Sequence, residues 1–561
     1  MFPPIMDCAN CAAQLVSSLA SFIAFDTLFE PMKFPGLVAL VWFASTYATD
    51  LDASFGPGNG SGKTLNINLE IVNKNLSVDG FSRSTVVAGG TFPGTPILAN
   101  EGDRLLINVV DKLTDATMLR STSIHWHGVF QHGISWADGT AFVTQCPISP
   151  GNSFLYDFTP ARQAGTFWYH SHLSLQYTDG LRGPLIIYDP LDPHKRLYDI
   201  DNVDTIITLA DWFHTPSRYY PTPYLASSNL INGKGRYAGG PATPLSVISV
   251  KLGKRYRFRL ISMSAEPSYV FSIDKHNMTI IEADGVSTLP VCIDSLHILA
   301  GQRYSFVLNA IQTVDNYWLR SVPNLGDTSF DGGVNSAILR YVGAPNTDPK
   351  ATASNSVNPL LETDLHPLTP VPVPGRPYPG GADVSINLDM GLVFTSTGPR
   401  YTMNGATFSP PSAPALLQIL SGAQLASELL PTGSYYALPK DKVVEISIPG
   451  GSDPGSPHPF HLHGHNFHVI RSACSKVYNY KNPVTRDVVD TGLASAGDNV
   501  TFRFETDNAG PWFLHCHVDT HLEIGLAVVL AEDIPAISKE VVPNAWKDLC
   551  PTYDALSPDQ L

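Results

Sequence analysis

Short strand-like runs recur along the chain, most of them alternating apolar and polar side chains, at residues 64–72, 104–110, 443–448 and 527–530. A period of two sends successive side chains to opposite faces, so each run predicts a partly or wholly buried β-strand. Similar stretches lie at 153–158, 255–261, 303–308 and 499–505, whereas long helical periodicity is scarce. The 44 glycines and 46 prolines divide these runs into short pieces, which argues for β-sandwiches or barrels. A length of 561 residues suits three or four such domains. Between residues 344 and 381, prolines at 345, 349, 359, 367, 370, 372, 374, 377 and 379 predict a connection that wraps between domains.

Chemistry enters with His515-Cys516-His517 and, four residues on, His521. On a strand, His515 and His517 face one way and Cys516 the other, so one strand can serve two metal centres with the cysteine as a covalent bridge between them. A thiolate with two imidazoles is the trigonal set of a blue-copper centre, although zinc is also open to these ligand types. Three further His-x-His pairs speak against a simple zinc site: His125-Trp126-His127, His170-Ser171-His172 and His461-Leu462-His463, the last preceded by His458. Ten of the 18 histidines fall in these clusters.

The pairs also form an internal repeat. His125-x-His127-Gly128 is followed by His170-x-His172, as His461-x-His463-Gly464 is followed by His515-x-His517. Residues 165–170 (GTFWYH) parallel 510–515 (GPWFLH), and a strand-like run precedes each. The chain therefore reads as two homologous metal-bearing domains. The segment between them has similar strands but no His-x-His, and reads as a third, metal-free copy.

Four stretches carry a resemblance to a known family: HWHGVFQHGISWADGTAFVTQCPI (125–148), GTFWYHSHLSLQYTDGLRGPLIIYDP (165–190), HPFHLHGH (458–465) and GPWFLHCHVDTHLEIGLAVVL (510–530). In these the sequence resembles the fungal laccases, multicopper oxidases of three cupredoxin domains, over about residues 62–561. The resemblance implies an all-β fold of three sequential Greek-key cupredoxin domains, at 62–190, 191–346 and 347–561, behind a leader at 1–61. It also implies four coppers per chain. His458, Cys516 and His521 would hold the type 1 copper, and His125 and His461 the type 2 copper. One type 3 copper would fall to His127, His170 and His517, and the other to His172, His463 and His515. His132, His465 and His468 lie nearby without a ligand role.

The activity so implied is one-electron oxidation of phenols and related aromatics, coupled to reduction of dioxygen to water, with a role in lignin degradation or phenol detoxification. Leu526 occupies the position axial to the type 1 copper and brings no donor atom. Glu266 stands where the family places an acid beside the phenol; the alternative is a surface residue in a loop. Asp138 matches an acid that feeds protons to the trinuclear cluster; the alternative is an Asp-Gly turn former. A disulfide from Cys146 to Cys550 is implied as well. The family's second disulfide is missing, because its two positions are Thr178 and Ala265. Cys292 and Cys474 are then expected to be buried thiols packed as small hydrophobes. Two other functions stay open: an Fe(II) metallo-oxidase sharing the same coppers, and a non-enzymatic copper or electron carrier.

A net charge of −15 argues against binding to nucleic acids or anionic membranes, which require basic patches. The partners expected are small phenols or aromatics and dioxygen, with the protein a monomer. Residues 32–48 resemble a secretory signal cleaved after Ala48, preceded by an atypical extension, 1–31, that contains Cys8 and Cys11. Sequons at Asn59, Asn75, Asn277 and Asn499 fit a secreted glycoprotein.

Overall fold

The computed structural model describes residues 62–160, 162–220, 224–451 and 457–557. The leader, its cleavage after Ala48, the Cys8/Cys11 pair and Asn59 lie outside the described residues. Asn75 and Asn277 are exposed, and Asn499 is half-buried. Among the described residues no helix is long and apolar enough to cross a membrane.

Most of the described strands assemble into three pairs of sheets that follow one another along the chain, and Met390–Thr395 and Gly398–Met403 form a separate two-stranded sheet. Arg104–Lys112 shows the cause of the first pair: Leu105, Ile107 and Val109 are fully buried, while the residues between them reach towards solvent. It pairs parallel with Thr64–Leu76 and antiparallel with Ser153–Phe158. The facing sheet joins Ile97–Asn100, Arg182–Tyr188, Gly165–Ser171 and Ile124–His127. The second pair of sheets spans Ile206–Trp212 to Ser336–Tyr341. The third includes Val443–Pro449 and Asn499–Glu505 in one sheet, and Pro459–Leu462, Gly510–Cys516 and Ala527–Glu532 in the other. The fold is all-β and cupredoxin-like, as expected.

Residues 344–381 wrap as their prolines predict. Their backbone pairs at Pro359 with Ser295 and at Pro367 with Thr288 of the second pair of sheets. Arg503, from the third, donates to the carbonyls of Pro374, Arg376 and Tyr378. Cys146 and Cys550 form the implied disulfide and fasten the C-terminal helical turns to the first pair of sheets. The expectation for the other two cysteines needs correction: Cys292 is half-buried and Cys474 exposed. Cys292 lies on Val286–Ile293, at the edge of its sheet, and Cys474 in a turn with φ of 60°.

Candidate metal centre

Each of the four ligand-bearing segments rests on a strand buried on both faces. Ile124–His127 pairs antiparallel with Gly165–Ser171, placing His125 opposite His170. Pro459–Leu462 pairs in the same sense with Gly510–Cys516, placing His461 opposite His515 and Phe460 opposite Cys516. The two arrangements repeat each other, and their histidines meet. The ring nitrogens of His125, His461 and His463 lie within 4.8 Å of one another, as do those of His125, His127 and His170, and those of His172, His463 and His515. His517 Nε2 lies 3.2 Å from His127 Nδ1 and completes the cluster.

Alternation along the last strand separates this cluster from a second one. The Cys516 sulfur lies 3.6 Å from His458 Nδ1 and 3.7 Å from His521 Nδ1, and all three residues are buried. A single peptide on either side leads from Cys516 to His515 and His517.

The chemistry of the donor set fits metal. Nδ1 of His125, His170, His461 and His515 lies 2.8–2.9 Å from the backbone carbonyls of Asp138, Ser171, Asp487 and Cys516. A proton held there leaves the Nε2 lone pair free, which is the tautomer a metal needs. Nε2 of His125, His170, His172 and His461 is buried without a hydrogen-bond partner, a costly state that a bound cation relieves. Burial, reinforced by neighbouring imidazoles, holds His127, His170, His172, His463, His515 and His517 well below the usual histidine range. They are neutral, as ligands must be.

Three family models, each described as multicopper oxidase, match residues 70–192, 203–344 and 408–536. A laccase of Trametes maxima is 60% identical over 485 residues, which are 86% of this chain and 96% of that one. The chain belongs to the laccases of the multicopper oxidase family. Among solved structures, a Botrytis aclada laccase superposes with a TM-score of 0.78 at 30% identity, covering 89% of this chain and 94% of that one. Fet3p, a multicopper oxidase that functions in iron import, gives 0.77 at 27% identity, covering 88% and 95%. A laccase of this family carries four coppers, and the two donor sets fit them.

The remaining predicted residues stand near these donor sets. Asp138 is both a turn former and a neighbour of the cluster. Its Oδ2 lies 2.9 Å from His463 Nδ1 and its Oδ1 3.3 Å from His125 Nδ1, while Thr140 donates to Oδ2 at 2.7 Å. Gly139 makes the turn, with φ of +83° and no room for a Cβ, which would lie 1.7 Å from the Ile124 carbonyl. Burial works against ionisation of Asp138, but His125 and the hydrogen bonds outweigh it, and the carboxyl is held below its usual range.

Leu526 is fully buried, and its backbone brackets the sulfur site: Cys516 N–H donates to its carbonyl at 3.0 Å, and its own N–H donates to His521 at 3.0 Å. Glu266 is not a surface residue. It is 9% exposed and accepts a hydrogen bond from the Thr520 hydroxyl, one residue before His521. Burial pushes its carboxyl up to about 8, with the Asp211 charge adding to the shift and Thr520 opposing it. Thr178, at one of the absent disulfide positions, accepts from Tyr220 Oη at 3.0 Å. At the other, Ala265, the N–H donates to Asp211.

The other nearby histidines have partners of their own: His132 with the Asp507 carbonyl, His465 with Glu532 and His468 with Thr485. One residue of the centre escaped sequence reasoning. Asp487, 1% exposed, lies 3.3 Å from His127 Nε2 and 3.5 Å from His461 Nδ1, and forms a group with both. The Arg303 guanidinium outweighs its burial and holds it down at about 2. Nothing in the local pattern Thr485-Arg486-Asp487 marks it, because its partners are far away in the chain.

Proposed function

We propose that the protein oxidises phenols one electron at a time beside His458, Cys516 and His521, and reduces dioxygen at the cluster of eight histidines. The supporting observation is the single stretch, the end of Gly510–Cys516 with His517 after it, in which Cys516 belongs to one donor set and its two neighbours to the other. Copper held there supplies one-electron redox chemistry at the first set and multi-electron reduction of dioxygen at the second. His458, Cys516 and His521 form the type 1 site. His125 and His461 hold the type 2 copper. His127, His170 and His517 hold one type 3 copper, and His172, His463 and His515 the other. Because Cys516 is bonded through the backbone to His515 and His517, electrons need no diffusible carrier between the sets.

Glu266 accepts the phenol proton, and its place beside Thr520 brings that carboxylate next to the His521 ligand. Asp138, between His125 and His463, keeps their ring orientation and passes protons towards the dioxygen site. Domain limits near residues 190 and 346, secretion after cleavage at Ala48 and a monomeric state complete the reading.

The test is to purify the protein, measure copper per chain and the visible spectrum, and follow oxygen uptake with a dimethoxyphenol and with Fe(II). About four coppers, an intense blue band and phenol-dependent uptake are expected. Cys516→Ser should lose both the colour and phenol oxidation. Normal turnover by that variant, or preference for Fe(II), would overturn the reading.

A further inference from the structure

The metal-free middle part of the chain reaches the histidine cluster through Arg303 and the loop before it. Arg303, fully buried at the start of Arg303–Asn309, grips Asp487 through two parallel hydrogen bonds, Nη1 to Oδ1 at 2.6 Å and Nη2 to Oδ2 at 2.7 Å. Two further donors are also engaged: Nε donates to the Thr166 carbonyl at 3.0 Å and Nη1 to the Gly301 carbonyl at 3.0 Å. Thr166 belongs to the strand of His170, and Asp487 lies just before Val488–Asp490, which pairs with the strand of His461. One guanidinium from the second pair of sheets thus ties together the two ligand-bearing parts.

The loop before Arg303 makes an independent contact with the ligands. Gly301 has φ of +83°, and a Cβ there would lie 2.8 Å from His517 Cδ2 and 3.0 Å from His127 Cε1. The imidazole rings are therefore packed against bare backbone. A carboxylate facing two imidazoles can rotate about its own axis, but a planar fork that binds both its oxygens removes that freedom.

We propose that Arg303, supported by Gly301, is a positioning residue of the trinuclear centre: by fixing the plane of Asp487 it sets the orientation of His461 and His127, and so the affinity for the copper held by His125 and His461. This rests on the ligand assignment proposed above. Partners one step removed from the metal typically tune affinity about 10–100-fold.

The experiment uses the copper-loaded, full-length enzyme as wild type, Arg303→Gln, Arg303→Lys and Gly301→Ala. Each is titrated with a copper chelator while the type 2 electron paramagnetic resonance signal, total copper and the blue band are recorded. Arg303→Gln should keep the blue band and lose the type 2 signal at chelator activity about 10–100-fold lower than wild type. Arg303→Lys, with the charge but not the fork, should fall between them. Gly301→Ala, which alters no charge, should shift in the same direction.

Wild type without a type 2 signal would defeat the ligand assignment itself. Given that signal, unchanged titrations and line shapes in Arg303→Gln and Gly301→Ala would overturn the positioning role. Failure of both Arg303→Lys and Gly301→Ala to yield any blue, folded protein would also overturn it, because the contacts would then serve assembly alone.

Discussion

Leu526 has no atom to offer a metal, yet its backbone is bonded on one side to Cys516 and on the other to His521. Leu526→Met conserves volume and should cost under about 1.5 kcal/mol in packing. Its thioether can stabilise Cu(II), so a redox titration of the blue band should give a lower potential, with electron-poor phenols slowed most. An unchanged or higher potential would remove Leu526 from the axial position. Glu266 supports a second prediction, with an explicit sign. Its pKa is raised from 4.5 to about 8, so the folded protein keeps a proton that the unfolded chain releases. The residue therefore weakens the fold increasingly as pH rises from about 5 to 8. Glu266→Gln should raise Tm, with a gain that grows across that window, and should impair phenols more than a non-phenolic one-electron donor. The wild-type preference for phenols should itself increase with pH as the carboxyl ionises. Equal losses for both donors would make the residue structural.

The ligand strands show how much could be read before the fold was known. Eight of the ten histidines were legible because His-x-His on a strand is a pattern in neighbouring positions, and Cys516, His458 and His521 because they stand within or close to two of those pairs. Alternation was legible in Arg104–Lys112, which has one face towards solvent, but not in Gly165–Ser171 or Gly510–Cys516, where both faces are buried. Asp487 and Arg303 were illegible because their meaning is a contact across 184 positions. The exposure of Cys474 was equally hidden, being set by what fails to cover a turn. Where the family's second disulfide is missing, Arg182 and Asp211 form a buried pair at 2.9 Å, and Asp211 also accepts from the N–H groups of Ala265 and Glu266. Arg182→Met should therefore cost about 3–5 kcal/mol by leaving a buried carboxylate unpaired. Calorimetry should show the loss together with a raised KM for phenols, since the Glu266 loop hangs from that carboxylate. The Cys146–Cys550 bridge is a separate fastening. Its removal as Cys146→Ser/Cys550→Ser should cost about 2–5 kcal/mol and leave the blue band intact.

At the scale of the whole molecule, the hydrophobic cores are built by the paired sheets, and Cys516 and Leu526 sit within one of them. Chelation should therefore leave far-ultraviolet circular dichroism nearly unchanged while lowering Tm, because copper binds only the folded state. Colour and thermal stability should return together when copper is restored; loss of the β-sheet spectrum on chelation would contradict this. The shared cluster has a further consequence, for the time at which the enzyme becomes an enzyme. His125 emerges early in synthesis, but the partners of its cluster include His515 and His517, close to the end of the chain. The imidazoles of the first pair of sheets must wait, their cluster incomplete, until nearly everything else has been made. Metal loading is thus a late event by construction, and a chain cut short before residue 515 cannot turn blue.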